Sequence, residues 1–294
     1  MSDEVGRLAS AIDAAPDDPQ GYAVYGDWLS QQGDPRGELI ALQLLPSLDR
    51  KQRERAKALL YEPTIRCLPG PLAHWRWGFV HTATLLRPTT ATDQVDLGAL
   101  LRHPSMRFVR AFTLGQEPLS SALATFAANA PRVLSALTLY APREFDLSLV
   151  PTTLPSLRRL GLSVPQMTGR LPLLPGLRAI ELAYADFGPA HDELLFGANR
   201  LTLTEVKLVV SLEPERALLD AVFSLPNLST FTLEAQRAGA TLLEALEQSP
   251  AMERLTRLDL MRSGLSERAA KKMLALTRRM PRLTELVLGD PAWD

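Results

Sequence analysis

Asp27, Asp34, Arg36 and Glu38 stand close together in the sequence, and their types are those of an acid–base constellation, able to accept, return and stabilise charge. That is the best case for catalysis in this chain. The same four residues have a structural reading, which we expect to hold: Asp34 capping a helix, Arg36 and Glu38 in local ion pairs, and Asp27 orienting Arg36 or a backbone amide.

Other chemistry lacks its starting residues. The histidines at 74, 81, 103 and 191 show no H-x-x-x-H or carboxylate spacing that would put two metal ligands on one face. No G-x-x-x-x-G-K-[ST] or G-x-S-x-G sequence occurs. The single cysteine, Cys67, lies beside Leu68 and Pro69 and reads as a small buried hydrophobe, with no partner for a disulfide. We therefore expect no catalytic residues, no metal and no cofactor.

The elements that must position the acid–base residues are helices. Val5, Leu8, Ala9 and Ile12 recur at helical spacing over 3–14, and Asp17-Asp18-Pro19 caps and starts a second helix whose apolar face is Tyr22, Tyr25, Trp28 and Leu29. Gly33 is the expected stop. Asp34 and Pro35 then open a third helix carrying Leu39, Ile40, Leu42 and Leu45, and a fourth is expected from Ser47.

Beyond these helices the chain repeats. The pattern apolar-x-x-apolar-x-apolar occurs at Val80/Ala83/Leu85, Val109/Phe112/Leu114, Leu134/Leu137/Leu139, Leu157/Leu160/Leu162 and Leu177/Ile180/Leu182, and again at Leu203/Val206/Leu208, Leu228/Phe231/Leu233, Leu255/Leu258/Leu260 and Leu283/Leu286/Leu288. The last two members of each triplet are two apart, so they share one side of a strand, while the first lies where the chain turns into it. The segments 215–225, 239–248 and 266–280 are helix-compatible, the last with Ser266 as cap and Ala269, Met273, Leu274 and Leu276 facing inward. Between Leu139 and Leu177, prolines at 142, 151, 155, 165, 172 and 175 argue for irregular or extended returns.

These triplets, over about residues 78–290, resemble the leucine-rich-repeat superfamily, and their spacing of 20 to 29 residues lies in that family's range. The resemblance implies a right-handed solenoid that presents its strand face to protein ligands. The family's asparagine ladder is missing, since the position after each triplet is Glu117, Pro142, Pro165, Ala185, Ser211, Gln236, Ser263 or Pro291. The run from Tyr25 to Ile40, YGDWLSQQGDPRGELI, resembles the bacterial repeat-companion domain, with Gly26 where that family has alanine. The expected fold is thus an α/β solenoid, a ladder of about nine parallel strands over 63–294, preceded by a small all-α domain over 1–62.

Strand residues that flank the buried pair face the other way. On that face we expect Thr82, Thr84, Leu86, Ala111, Thr113, Gly115, Ala136, Thr138 and Tyr140, small and uncharged, followed by a charged half. The charged half holds Arg159, Glu181, Glu205, Lys207, Glu234, Arg257, Asp259 and Glu285, five carboxylates against three cations, with Val209 and Met261 among them. The candidate contacts for a protein partner are Thr84, Thr113, Thr138, Tyr140, Arg159, Glu181, Glu205, Lys207, Glu234, Arg257 and Asp259.

With 32 basic and 33 acidic residues in 294, the chain has no overall field favouring nucleic acid or an anionic membrane. The basic runs at 50–57 and 268–279 lie on expected helices without interleaved aromatics, and read as solvated faces. An acidic N-terminus, a lone cysteine and the lack of a spanning apolar run lead us to expect a cytoplasmic protein with no membrane or nucleic-acid partner.

Overall fold

The computed structural model describes residues 2–68, 72–86, 95–115, 118–183 and 195–289. His191 and the repeat positions Glu117, Ala185 and Pro291 lie outside them. The chain divides into two compact units, Met1–Ser135 and Ala136–Asp294.

The first unit opens with four helices. In α1 (Ser2–Ala14) Ala9 and Ile12 are fully buried, one turn apart on the inner stripe. Helix α2 (Pro19–Gln31) starts at Asp18, whose side chain accepts from the Gln20 N–H at 2.9 Å. It stops at Gly33, where φ is +74°. There the Gly33 N–H donates to the Ser30 carbonyl and the Asp34 N–H to that of Leu29, the paired bonds of a Schellman ending. Helix α3 (Pro35–Leu44) begins at once with Asp34 as its cap. The fourth helix, α4 (Arg50–Leu60), begins later than Ser47, because Asp49 and Gln52 form a reciprocal capping box that fixes the start there.

A strand that the repeat pattern did not reveal follows. Strand β1 (Ala73–Arg76) runs antiparallel to β2 (Phe79–Leu85) through a turn in which Trp77 and Gly78 both have positive φ, the arrangement a two-residue hairpin favours. Gly78 is needed twice over, since its φ is +75° and a Cβ there would run into Ile40; its N–H donates to Gln43 Oε1 at 2.8 Å. Helix α5 (Leu97–Arg102) leads into β3 (Ala111–Leu114), which pairs parallel to β2 and is followed by α6 (Leu119–Asn129). Tyr22 and Tyr25 pack against Phe79 and Phe108, so the aromatic face of α2 is the centre of this unit's core.

In the second unit, seven strands lie side by side and every neighbouring pair is parallel: β4 (Ala136–Tyr140), β6 (Arg159–Ser163), β8 (Ala179–Ala183), β9 (Glu205–Val209), β10 (Thr230–Glu234), β11 (Arg257–Arg262) and β12 (Glu285–Leu288). Leu137, Leu160, Ile180, Val206, Phe231, Leu258 and Leu286 fall in one cross-strand register. All but Leu286, on the last strand, are buried. Each leucine is therefore covered by the same position of its neighbours, which is how a strand too short to fold alone acquires a core.

The returns differ as the prolines suggest. Between β4 and β8 the described residues contain no α-helix; β5 (Glu144–Asp146) and β7 (Gln166–Thr168) form a small parallel pair of their own. Later returns are α7 (Arg216–Phe223), α8 (Ala240–Glu247) and α9 (Glu267–Thr277). Ser266 caps α9 through the Ala269 N–H, and Ala269, Met273 and Leu276 face inward. Leu274 does not: it is 51% exposed, because it lies one position round the helix from the buried Met273.

A hydroxyl ladder links successive coils. Just before β9, β10, β11 and β12 stand Thr204, Ser229, Thr256 and Thr284. Each donates its hydroxyl to a carbonyl in the preceding coil, respectively Arg178, Thr204, Ser229 and Thr256, at 3.3, 3.1, 3.1 and 3.0 Å. The same carbonyls also accept two backbone N–H groups from that turn. Asn199, fully buried, ties two returns by accepting from the Leu174 N–H and donating to the Pro172 carbonyl.

Candidate protein-binding face

The residues with the best claim to acid–base chemistry are held in pairs. Asp34 caps α3 by accepting from the Arg36 N–H at 2.9 Å, and its carboxylate also grips the Arg36 guanidinium. Burial alone would push the Asp34 carboxyl up, but the two hydrogen bonds and the charge of Arg36 outweigh it and hold the group below its ordinary value. Arg36 is itself only 9% exposed, with its guanidinium over the Phe79 ring. Glu38 is paired with Arg55 through two bonds of 2.7 and 2.6 Å, which lower its carboxyl and raise the guanidinium.

Asp27 is exposed and has no hydrogen bond or ion pair among the described residues. It therefore does not orient Arg36; Asp34 does that. Gly37 completes the arrangement, since a Cβ there would strike Ser30 and the Gly26 carbonyl of α2. Gly26 in turn leaves space for Ile40, whose Cγ2 would stand 2.9 Å from an added Cβ. The motif's residues thus dock α3 against α2. Cys67 is half-buried, and burial pushes its thiol up to about 11, so it is not a thiolate at neutral pH. Among the described residues no group of three or more His, Cys, Asp or Glu is arranged to hold a metal ion.

On the strands of each unit, alternation places the expected residues on an exposed side in cross-strand rows. In the first unit Thr82 is opposite Ala111 and Thr84 opposite Thr113. In the second, one row reads Ala136, Arg159, Ala179, Glu205, Thr230, Arg257, Glu285, and the next reads Thr138, Gly161, Glu181, Lys207, Thr232, Asp259, Val287. Tyr140, at the end of β4, is 45% exposed.

The charges in these rows are mutually bound. Arg159 reaches Glu205 at 2.8 Å; Lys207 bridges Glu181 and Glu234 at 3.1 and 3.0 Å; Arg257 bridges Asp259 and Glu285 at 3.3 and 2.9 Å. Lys207 is shifted upward in spite of partial burial, because two carboxylates bond its ammonium. All five carboxylates of the face are thus paired with its three cations.

Sequence spacing missed a fourth cation. The β10–β11 register slips between Thr232 and Glu234, so Glu234 lies opposite Arg262 instead of Met261, and Arg262 approaches it at 3.6 Å. Asp259 marks the irregularity by accepting the Met261 N–H at 3.1 Å, a local bond that only the observed backbone reveals. Met261 is left 64% exposed.

Fold and face together describe an α/β protein of mostly parallel strands whose uncovered side carries a cross-strand ion-pair network. No protein-family model matches the chain, and no curated protein matches it. Among solved structures it is similar to a structural-genomics target from Bacteroides fragilis, with 16% identity and a TM-score of 0.49 over 65% of this chain and 62% of that one. This chain therefore matches under two thirds of that protein's length. Among the described residues no helix is long and apolar enough to cross a membrane.

Proposed function

We propose that the chain is a non-enzymatic recognition protein of leucine-rich-repeat type, cytoplasmic, in which residues 1–62 act as a companion module and the strand face of 63–294 holds a protein partner. One observation carries the reading: an uncovered sheet side whose charged side chains are fixed by one another in cross-strand pairs. Side chains already immobilised lose less freedom when a partner arrives, so the surface is pre-organised for contact. The small uncharged rows around Thr84, Thr113 and Thr138, with Tyr140 as an aromatic anchor, suit an apolar patch on the partner. The rows from Arg159 to Glu285 suit a basic one, since carboxylates outnumber cations there even when Arg262 is counted.

The test is affinity isolation from the native cell with the wild-type chain and with Arg159→Ala/Glu205→Ala/Glu234→Ala, followed by titration of the purified partner against both. The proposal expects binding to weaken at least about tenfold in a variant whose circular dichroism is unchanged. Equal affinity of the two proteins for the partner would move the interface off this face.

A further inference from the structure

The first unit contains a second surface of different chemistry. A cleft of about 600 Å³ is lined by Asp13 of α1, by Tyr25 and Arg36, by Arg102 at the end of α5, and by His103, Arg107 and Arg132 from the turns that precede the strands. That volume lies within the range of small-molecule sites. Four guanidinium groups share it with one carboxylate among its lining residues, Asp13. This is a local concentration of charge, because the whole chain is one unit negative.

The arginines differ in how they are held. Arg36 is fixed at the base by Asp34, which keeps its planar head in one orientation. Among the described residues Arg102 donates only to the neutral Asn129 amide oxygen, at 3.4 Å. Arg107 and Arg132 have no ion pair among the described residues, Arg107 lying over the Phe108 ring. Elsewhere in the protein exposed arginines such as Arg55, Arg159, Arg257 and Arg279 are matched by carboxylates. In the cleft Arg36, Arg102, Arg107 and Arg132 come together with Asp13 as the one carboxylate of the lining, its charge felt by Arg107 and Arg132, and guanidiniums facing a common space repel one another unless an anion joins them.

His103 adds a neutral donor. Its Nδ1 accepts the Ser105 N–H at 3.2 Å, which leaves the proton on Nε2, and burial together with the nearby Arg36 holds the ring below its ordinary value. The one aromatic lining residue, Tyr25, is 4% exposed with its ring stacked on Trp28 and on Phe79, and offers no free face to a nucleobase. Fork-shaped donors without a stacking surface select a compact multiply charged oxyanion.

We propose that this cleft binds a phosphoryl group, with Arg102, Arg107 and Arg132 supplying the donors, Arg36 the fixed base and Asp13 a carboxylate that limits affinity. The group can come from a free phosphate compound or from a phosphorylated side chain of a protein, and both present the same oxygens.

The experiment is calorimetric titration of the full chain at 150 mM salt with pyrophosphate, with inorganic phosphate and with a phosphoserine peptide beside its unphosphorylated form. The wild-type protein is expected to bind pyrophosphate or the phosphopeptide with Kd below about 1 mM. Tighter binding of the phosphopeptide assigns the site to a protein ligand, and tighter binding of pyrophosphate assigns it to a small one; either supports the proposal. Arg107→Gln/Arg132→Gln should weaken the ligand at least about tenfold, Asp13→Asn should tighten it several-fold, and Arg159→Gln, on the strand face, should leave it unchanged. No wild-type binding of any phosphoryl probe overturns the proposal, as does binding that survives Arg107→Gln/Arg132→Gln or falls equally in Arg159→Gln. An oligothymidine that binds tighter than pyrophosphate and ignores the cleft substitutions also overturns it. If the double variant does not fold, Arg132→Gln alone and the wild-type titration decide.

Discussion

Arg159 and Glu205 are two strands apart, and their ion pair passes over Ala179, which lies between them in the same row. Only a short side chain leaves that path open, so a buried alanine in β8 sets the reach of a surface contact. Both partners are partly exposed. A double-mutant cycle on Arg159→Ala and Glu205→Ala should give a coupling of about 0.2–1 kcal/mol in low salt, falling toward zero in 1 M NaCl. A coupling that salt leaves intact would mean the pair is better shielded than its geometry indicates.

Asp34 serves helix α3 twice, through the Arg36 amide and through its guanidinium. Asp34→Ala should lower the unfolding free energy by about 0.5–2 kcal/mol, measured by urea titration at pH 7. Asp34→Asn, which keeps the cap and removes the charge, should fall between that variant and wild type. Because the folded carboxyl is held below its unfolded value of 3.8, the ionised group's contribution is complete above that value. It is lost as pH falls through the lower folded value, so the gap between wild type and Asp34→Asn should narrow in acid.

His81 and His103 are both pushed below their ordinary value of 6.5, in each case first by burial. The unfolded chain then binds protons that the folded one refuses, so stability rises with pH across this range. Wild type should be less stable at pH 5.5 than at pH 7.5 in matched urea titrations. His103→Asn retains an acceptor for the Ser105 N–H without titrating, and should reduce that difference. An unchanged slope would remove His103 from the account.

The hydroxyl ladder predicts a repeated small cost. Ser229→Ala and Thr256→Ser/Thr256→Ala comparisons should separate the hydroxyl from the methyl, with loss of either hydroxyl costing about 0.5–1.5 kcal/mol by urea titration. Neutral effects at both positions would show that the two backbone donors already saturate each carbonyl.

Local signals were the most legible in the sequence. Asp18, Asp34 and Ser266 each stand before a helix they cap, and the prolines between Leu139 and Leu177 exclude helices that are indeed absent among the described residues. Features that depend on how a particular side chain or turn is used were not. The start of α4 turns on Gln52 reaching back to Asp49; β1 exists because Trp77 and Gly78 turn the chain onto β2; Arg262 enters the ion-pair network only through a register slip.

The charged half of the candidate face was readable residue by residue, because alternation in a strand needs no knowledge of its neighbours. Which charge meets which was not, since Lys207 lies between two carboxylates contributed by strands on either side. The arginine cleft was hidden for a similar reason: Arg102 ends α5, while Arg107 and Arg132 belong to separate turns. A usable trace remains in Pro104 and Pro131, each followed within three residues by an arginine and then by an apolar pair.

The hairpin at Trp77 and Gly78 bears on how such a chain can lengthen over generations. A duplicated coil arriving beside β2 on the side that β1 occupies would find a neighbour of opposite polarity, whose bonding groups alternate between close and wide spacing instead of running evenly. Gene duplication can therefore insert new coils only on the other side of β2, which makes this hairpin a fixed origin from which the copies are counted.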